Sequence, residues 1–495
     1  MIDNFIAGSV ALFGDPFTIG IFVFGVIGGM LFGAIPGVSM LTLAAILLPF
    51  TASLEPAQGV MLFAVIYCTG TYGGAITAIL FNIPGAPENA PTAFDGYPMT
   101  RKGQSGKAVG AAVLCSAIGG VTSAIVMMAA TEPLANWAIS NIGPPEIFAL
   151  VFFGLAVASS VGGRTLWKGW MSVLLGLLIA TIGQDPVGGI NRYNFGFSDL
   201  AAGIAFVPAI LGFFAVSEIF VQAEKKAIGM YEAPKLSLDF PTILELWTHK
   251  IAVVRSILVG FFCGILPGIG ATLAAFMGYG EAVRWSKNKE SFGKGNLEGV
   301  ISSETANNSA TGAAMIPLLA LGLPGGALTA MMVAVFQMHD LEPGPLVFYN
   351  SPELIWIVFA AMFYANVSIL FIGLIETKTI LHLLKIPFQF LAPMILLLAS
   401  IGSYIGRGLV LDVMVMFISG IMGFLLRRSG YSIPGIVLGI ILGKIGEQNF
   451  AQGMQMVHYD LLEYLSRPIC LLLIVAGSLT LLAGIYKALS FSFKS

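Results

Sequence analysis

The sequence predicts an all-α, polytopic membrane protein made of two internally duplicated halves, with helices or hairpins broken at Pro-Gly motifs. Three observations carry that prediction. Apolar residues make up 57% of the chain and charged residues only 10%, with a mean hydropathy of +0.89, whereas soluble chains are about 25% charged. The uncharged stretches Pro16–Leu54 and Pro56–Pro87 each exceed the roughly 20 residues that one spanning helix needs. Finally, Gly-x-x-Pro-Gly stands at Gly33–Gly37 and again at Gly264–Gly268, each time inside an apolar run. Proline removes a backbone donor and glycine tolerates the dihedrals of a break. The helix that restarts therefore presents unpaired N–H groups at membrane depth, where they need a partner such as an anion.

The totals also exclude some functions. With 24 Lys and Arg against 26 Asp and Glu, no basic surface suggests nucleic acid. Cys68, Cys115, Cys263 and Cys470 are dispersed through apolar sequence without metal or disulfide spacing, so a core role is expected. No nucleophile–base pair, Walker loop or metal cluster is recognisable, and an enzyme is not expected. The N-terminus MIDNFIAGSVALFGD lacks the basic region of a secretory signal.

Taken in order, Ile2–Leu12 is a short amphipathic stretch suited to the membrane interface. Phe17–Phe50 would measure roughly 50 Å as one helix, against a hydrocarbon thickness near 30 Å; Pro36-Gly37 marks its break. Val60–Ile83 is the second block, ending at Pro84-Gly85. The polar segment Glu88–Lys107 reads as a cytoplasmic loop through Arg101, Lys102 and Lys107. Further spans are expected at Ala108–Ala130, Ile147–Val161, Trp170–Ile182 and Leu200–Val221, before a charged stretch at Gln222–Lys250. The second half begins with an apolar block from Ile251 to Ala282, then a basic loop with Arg284, Lys287, Lys289 and Lys294. Val300–Leu323 and Ala327–Met338 flank Pro324-Gly325. Leu354–Leu374, Phe388–Ile401, Val410–Leu426, Ile433–Leu442 and Ile469–Ala488 complete the set. The division is residues 1–235 for the first transmembrane repeat, 236–250 for the linker and 251–495 for the second repeat.

The duplication rests on ordered matches. Gly33, Pro36 and Gly37 recur at Gly264, Pro267 and Gly268, shifted by 231 residues, and Pro84-Gly85 recurs at Pro324-Gly325, shifted by 240. LLGLLIATIGQ at Leu174–Gln184 resembles VLGIILGKIGE at Val437–Glu447. The loop after the first break is basic only in the second half, and the loop after the second break only in the first. Under the positive-inside tendency that swap predicts inverted repeats. Against it, Arg164 with Lys168 and Arg427 with Arg428 are basic at similar positions in the two halves. Paired broken helices in two halves point to a transport site near mid-membrane.

Around the breaks stand Ser39 and Thr42, then Gly270 and Thr272. Beside the second breaks stand Thr69, Thr71, Asn82, Gly85 and Gly325, with Asn307, Asn308, Ser309 and Thr311 in the run SSETANNSATG. These amides and hydroxyls both donate and accept, and cannot face lipid cheaply. With Gly37 and Gly268 they form the expected substrate contacts. An isolated Thr more simply bonds back to its own helix, an even alternative at Thr77. No Lys or Arg lies in either broken region, so a carboxylate would be held by neutral donors and helix N-termini. Unwound carbonyls near Pro36 and Pro267 are candidates for Na⁺, and Glu304 is a candidate proton acceptor. No other cofactor is expected.

GILPGIGATLAAFMGYG at Gly264–Gly280, GAIPGVSMLTLAAILLP at Gly33–Pro49, NIPGAPENAPTAFDGYPMTRKGQSGKAVG at Asn82–Gly110 and LGLPGG at Leu321–Gly326 resemble the large membrane subunit of the tripartite tricarboxylate transporters. The resemblance runs over nearly the full chain; Val38 and Ser39 depart mildly from the leucine and serine that some relatives carry after the first Pro-Gly. It implies a multi-pass bacterial inner-membrane protein that takes up citrate or related organic acids by an ion gradient. It also implies two partners, a small four-helix membrane subunit and a periplasmic solute-binding protein. A self-sufficient carboxylate transporter and a non-transporting scaffold are the rival readings.

Overall fold

The computed structural model describes residues 1–35, 39–161, 165–185, 187–224, 241, 243–266, 270–383 and 388–492. Pro36, Gly37, Pro267 and Gly268, four of the expected site positions, lie outside the described residues, as does residue range 225–240 around the expected end of the first repeat.

Helices build most of the described residues. Helix α1 (Ile2–Gly14) stops before Asp15-Pro16, and α2 (Pro16–Ala34) starts there, with Asp15 accepting the Thr18 N–H at 2.8 Å and its hydroxyl at 2.7 Å. Proline at the first helical position loses no bond and the aspartate satisfies an orphan donor. Helix α2 ends at Ala34, α3 (Met40–Leu47) follows with Ser39 at its start, and a 3₁₀ turn at Leu48–Ser53 leads to α4 (Pro56–Phe81). A 3₁₀ turn at Pro87–Asn89 then enters α5 (Ala90–Arg101), and α6 (Ser105–Asn141) follows. Helix α6 outruns the expected Ala108–Ala130: its 37 residues reach about 55 Å, well beyond the hydrocarbon layer.

Next come α7 (Pro144–Val161) and α8 (Leu166–Ala180), a two-residue antiparallel ribbon pairing Gly183 with Arg192, and α9 (Phe206–Ile210) joined through a π turn at Leu211–Val216 to α10 (Ser217–Glu224). The short α11 (Ile243–Thr248) precedes α12 (Lys250–Ile265), α13 (Gly270–Trp285), α14 (Leu297–Leu321) and α15 (Ala327–Met338). The one-turn α16 (Val347–Asn350), α17 (Pro352–Leu383), α18 (Phe388–Ile405), α19 (Val410–Arg428), α20 (Ile433–Met456), the short α21 (Leu461–Ser466) and α22 (Pro468–Ser492) complete the chain. Helix α20 runs well past the expected Leu442, because Lys444, Glu447 and Gln448 lower hydropathy without breaking the helix.

Six helical stretches among the described residues are long and apolar enough to cross a membrane: Pro16–Ala34, Pro56–Phe81, Ser105–Asn141, Phe206–Glu224, Pro352–Gly373 and Val410–Arg428. The protein is an all-α, polytopic membrane protein. At its centre stand α4, buried from Gln58 to Leu80, and α14, buried from Gly299 to Ala320. Helix α2 packs on α4 and α12 on α14; α6 lies along α14 and α17 along α4. A second group joins α7, α8, α20 and α22, and α19 packs on α9 and α10. All four cysteines are free and buried.

Candidate functional site

Helix α14 is apolar at both ends and polar in between, and its polar run is enclosed by α4, α5, α6, α12 and α13. Glu304 is fully buried. Its Oε1 accepts the Thr92 hydroxyl of α5 at 2.5 Å and its Oε2 the Ser116 hydroxyl of α6 at 3.0 Å. The Asn307 amide, one turn on, reaches Oε1 at 3.5 Å and the Glu88 carbonyl at 3.4 Å. Asn308 donates to the Asn307 Oδ1 at 2.7 Å and back to the Glu304 carbonyl at 3.1 Å.

Glu88, on the 3₁₀ turn before α5, is 5% exposed, and its carboxylate accepts the Thr272 hydroxyl at 3.4 Å. Asn89, next to it, donates to the Thr71 carbonyl at 2.8 Å. Two turns along α5, buried Asp95 accepts the Gly295 and Asn296 N–H groups, each at 2.8 Å, and the Tyr279 hydroxyl at 3.0 Å. Neither Glu88 nor Glu304 forms an ion pair with a basic group among the described residues. An unpaired carboxylate at membrane depth is costly, and such residues generally face a pathway or a counter-charge. Asn89 Oδ1, Ser302 Oγ, Asn308 Oδ1, Ser309 Oγ and Asn366 Oδ1 are all buried without a hydrogen-bond partner. Buried acceptors are rarely left so.

The remaining expected residues fall into three groups. Gly270 opens α13 at φ +61°, a conformation that favours glycine, beside Gly325 and Gly326; Gly85 sits against the Gly33 carbonyl and Gly74. Ser39 begins α3 with no side-chain cap bond, its carbonyl accepting from Thr42 and Leu43. Thr69, Thr71, Thr77 and Thr311 turn their hydroxyls back to carbonyls of their own helices. Asn82 stands apart, exposed at the end of α4 in a left-handed cap at φ 57°. Two cavities of about 360 and 480 Å³ open elsewhere, one against Phe17–Phe24 and the turn at Phe50–Leu54, the other beside Arg407 and Asp412.

Sequence reasoning missed Glu88, Asn89 and Asp95 by reading their segment as a solvated loop. The signal was present: Glu88, Thr92 and Asp95 are spaced four and three apart, the spacing of one helical face.

The chain matches the Tripartite tricarboxylate transporter TctA family over residues 19–438. It belongs to that family. The protein is therefore the large membrane component of a tripartite tricarboxylate transporter, a multi-pass inner-membrane protein of organic-anion uptake, and not an enzyme. It is also similar to two proteins of Agrobacterium vitis. One is named an uncharacterized 52.8 kDa protein in the TAR-I ttuC' 3'region, 35% identical over 460 residues, 92% of this chain and 90% of that protein. The other is named an uncharacterized protein in the TAR-II ttuC' 3'region, 35% identical over 218 residues, 44% of this chain and 90% of that protein. No solved structure matches. Among the described residues, no group of three or more His, Cys, Asp or Glu side chains could hold a metal ion.

Proposed function

We propose that this subunit carries organic acid anions by cation-driven alternating access, and that residues 1–235 and 251–495 are two inverted repeats whose helices intermix in the moving and fixed parts. It would receive its substrate from a periplasmic binding protein and work beside a small four-helix membrane subunit, the partners that its family implies. The observation that carries the reading is the buried, acceptor-rich centre where elements of both halves converge on Glu304, Asn307 and Asn308.

Repeated packing supports the duplication. A methyl group added to Gly33 on α2 would lie 2.4 Å from the Gly70 carbonyl oxygen of α4; at Gly264 on α12 it would lie 2.6 Å from the Ala310 carbonyl oxygen of α14. These pairs keep the shifts of 231 and 240. Gly85 likewise abuts Gly74, and Gly325 abuts Ala314. Inversion is supported by α6 and α17, which pass antiparallel, Gly120 meeting Asn366 and Asn136 bonding Tyr349. The two basic loops from opposite places in the halves also touch, Lys102 donating to the Lys294 carbonyl at 2.5 Å.

The third sequence match does not fit this scheme. Helices α8 and α20 run parallel, Gly176 against Gly439 and Ala180 against Gly443, whereas counterparts in inverted repeats near the membrane normal would be antiparallel. The counterparts are instead α8 with α19 and the π turn leading into α10 with α20, for Gly212 in that turn abuts the α19 backbone at Met416 and Gly420 as Gly439 abuts α8. Arg427 and Arg428 then end a helix whose counterpart begins near Lys168, so they are not equivalent charges, and the objection to inversion falls away.

Within this reading, Ser39, Gly270, Thr272, Asn307, Asn308 and Ser309 contact the carboxylates of the substrate, and Glu304 takes part in cation coupling. The test is uptake of labelled organic acids by the reconstituted tripartite system under separate Na⁺ and pH gradients. Asn308→Ala should abolish uptake while the protein still assembles; full uptake in that variant refutes the assignment.

A further inference from the structure

Hydrogen-bond donors and acceptors around Glu304 do not balance. Two buried carboxylates, Glu88 and Glu304, share a region with the unpartnered oxygens Asn89 Oδ1 and Asn308 Oδ1. The titratable groups facing the two carboxylates are Tyr67 on α4, Cys115 on α6 and, farther along α5, Asp95 with its Tyr279 partner on α13; none is basic. An excess of acceptors in a low-dielectric interior calls for a positive charge or added protons. The imbalance is also one-sided. Applying the 240-residue shift, Glu304 corresponds to Ala64, Asn307 to Tyr67, Glu88 to Leu328 and Thr92 to Met332, so the corresponding place in the other repeat holds neither carboxylate.

We propose that Glu88 is a second cation-carrying carboxylate, acting with Glu304 in one site, and that the pseudo-equivalent site carries no cation. The inference rests on the transport reading above and adds to it a residue and a count. The ligand is a small monovalent cation, a proton or Na⁺. Asn307 is the connecting element, since its single amide reaches the Glu304 carboxylate and the Glu88 main chain together. Thr272 bonds the Glu88 carboxylate from the first turn of α13, so movement of that helix start changes the surroundings of one carboxylate and leaves the other in place. Loading both carboxylates before the anion enters removes the like-charge repulsion that would otherwise exclude a carboxylate substrate.

The experiment counts cations per anion from the reversal potential of labelled citrate flux in proteoliposomes holding the complete tripartite system. Separate Na⁺ and pH gradients distinguish the two ions. Wild-type protein is expected to move at least two cations through this site per anion, and Glu88→Gln and Glu304→Gln each one fewer. A Glu88→Gln protein with the wild-type count overturns the proposal. Should that variant fail to assemble, Glu88→Asp decides: its shortened side chain is expected to raise the half-saturating cation concentration several-fold, and an unchanged value overturns the proposal. Wild-type uptake indifferent to both gradients would instead refute cation coupling as a whole.

Discussion

Asp95 is the joint on which the site depends, and its removal has a calculable cost. Its carboxylate, itself fully buried, accepts two backbone N–H groups at the entrance to α14 and one hydroxyl from α13, from donors that are half-buried. Each donor left without a partner costs about 1–3 kcal/mol, so Asp95→Ala should destabilise the protein by at least ~3 kcal/mol. Asp95→Asn keeps the shape and exchanges charge-assisted bonds for neutral ones, a loss of about 1 kcal/mol per bond, and about 2 kcal/mol in total because the Tyr279 hydroxyl can turn to accept. Tyr279→Phe removes one bond to the carboxylate and should cost about 2 kcal/mol. Thermal unfolding of the purified protein in one detergent reads the series. Asp95→Ala as stable as wild type, or no worse than Asp95→Asn, would refute the argument. The same variants should weaken transport, since Asp95 holds α5, with its Thr92, against Glu304.

Other outcomes follow from close packing and from charge. Gly33→Ala and Gly264→Ala each force a methyl group against a carbonyl oxygen and should destabilise by about 1–3 kcal/mol, read in the same unfolding assay. Arg407 donates from Nε to the Asp412 Oδ2 at 2.9 Å, and Asp412 is 1% exposed. Arg407→Gln should therefore cost about 3–5 kcal/mol, and adding Asp412→Asn should recover a large part of it in a double-mutant cycle. The Thr18 hydroxyl and N–H hold the Asp15 carboxylate below its ordinary value of 3.8. Its support for the start of α2 is then complete above that value and fades as pH falls through the lower folded value. The protection factor of the Thr18 amide, taken relative to its intrinsic exchange rate at each pH, should fall as pH drops below that ordinary value in wild type and show no such step in Asp15→Ala.

Much of the fold is legible in composition and pattern, because a spanning helix is specified by a long apolar run. Helix α2 fills Pro16–Ala34 within the uncharged stretch Pro16–Leu54, and α4 fills Pro56–Phe81 within Pro56–Pro87. The polar run in α14 was also visible, and the structure buries all of it. Residues 88–95 were not, since hydropathy averages Glu88, Asn89 and Asp95 with the basic residues beyond them and returns a loop. Only the return of α5 against α4 and α14 buries them, and that return is a tertiary event. The π turn at Leu211–Val216 has no local signature for the same reason: it follows the fit of α9 and α10 to α19.

The glycine seams between α8 and α20 and between the Leu211–Val216 π turn and α19 bear on how such a molecule can move. Each seam clasps a helix from one part of the chain to a helix from the other, backbone against backbone, like hands of two people linked twice. Pulling the early and late portions apart as two rigid blocks would rip both seams at once. Whatever slides or tilts during turnover must therefore be a mixed unit, drawing helices from both ends of the polypeptide.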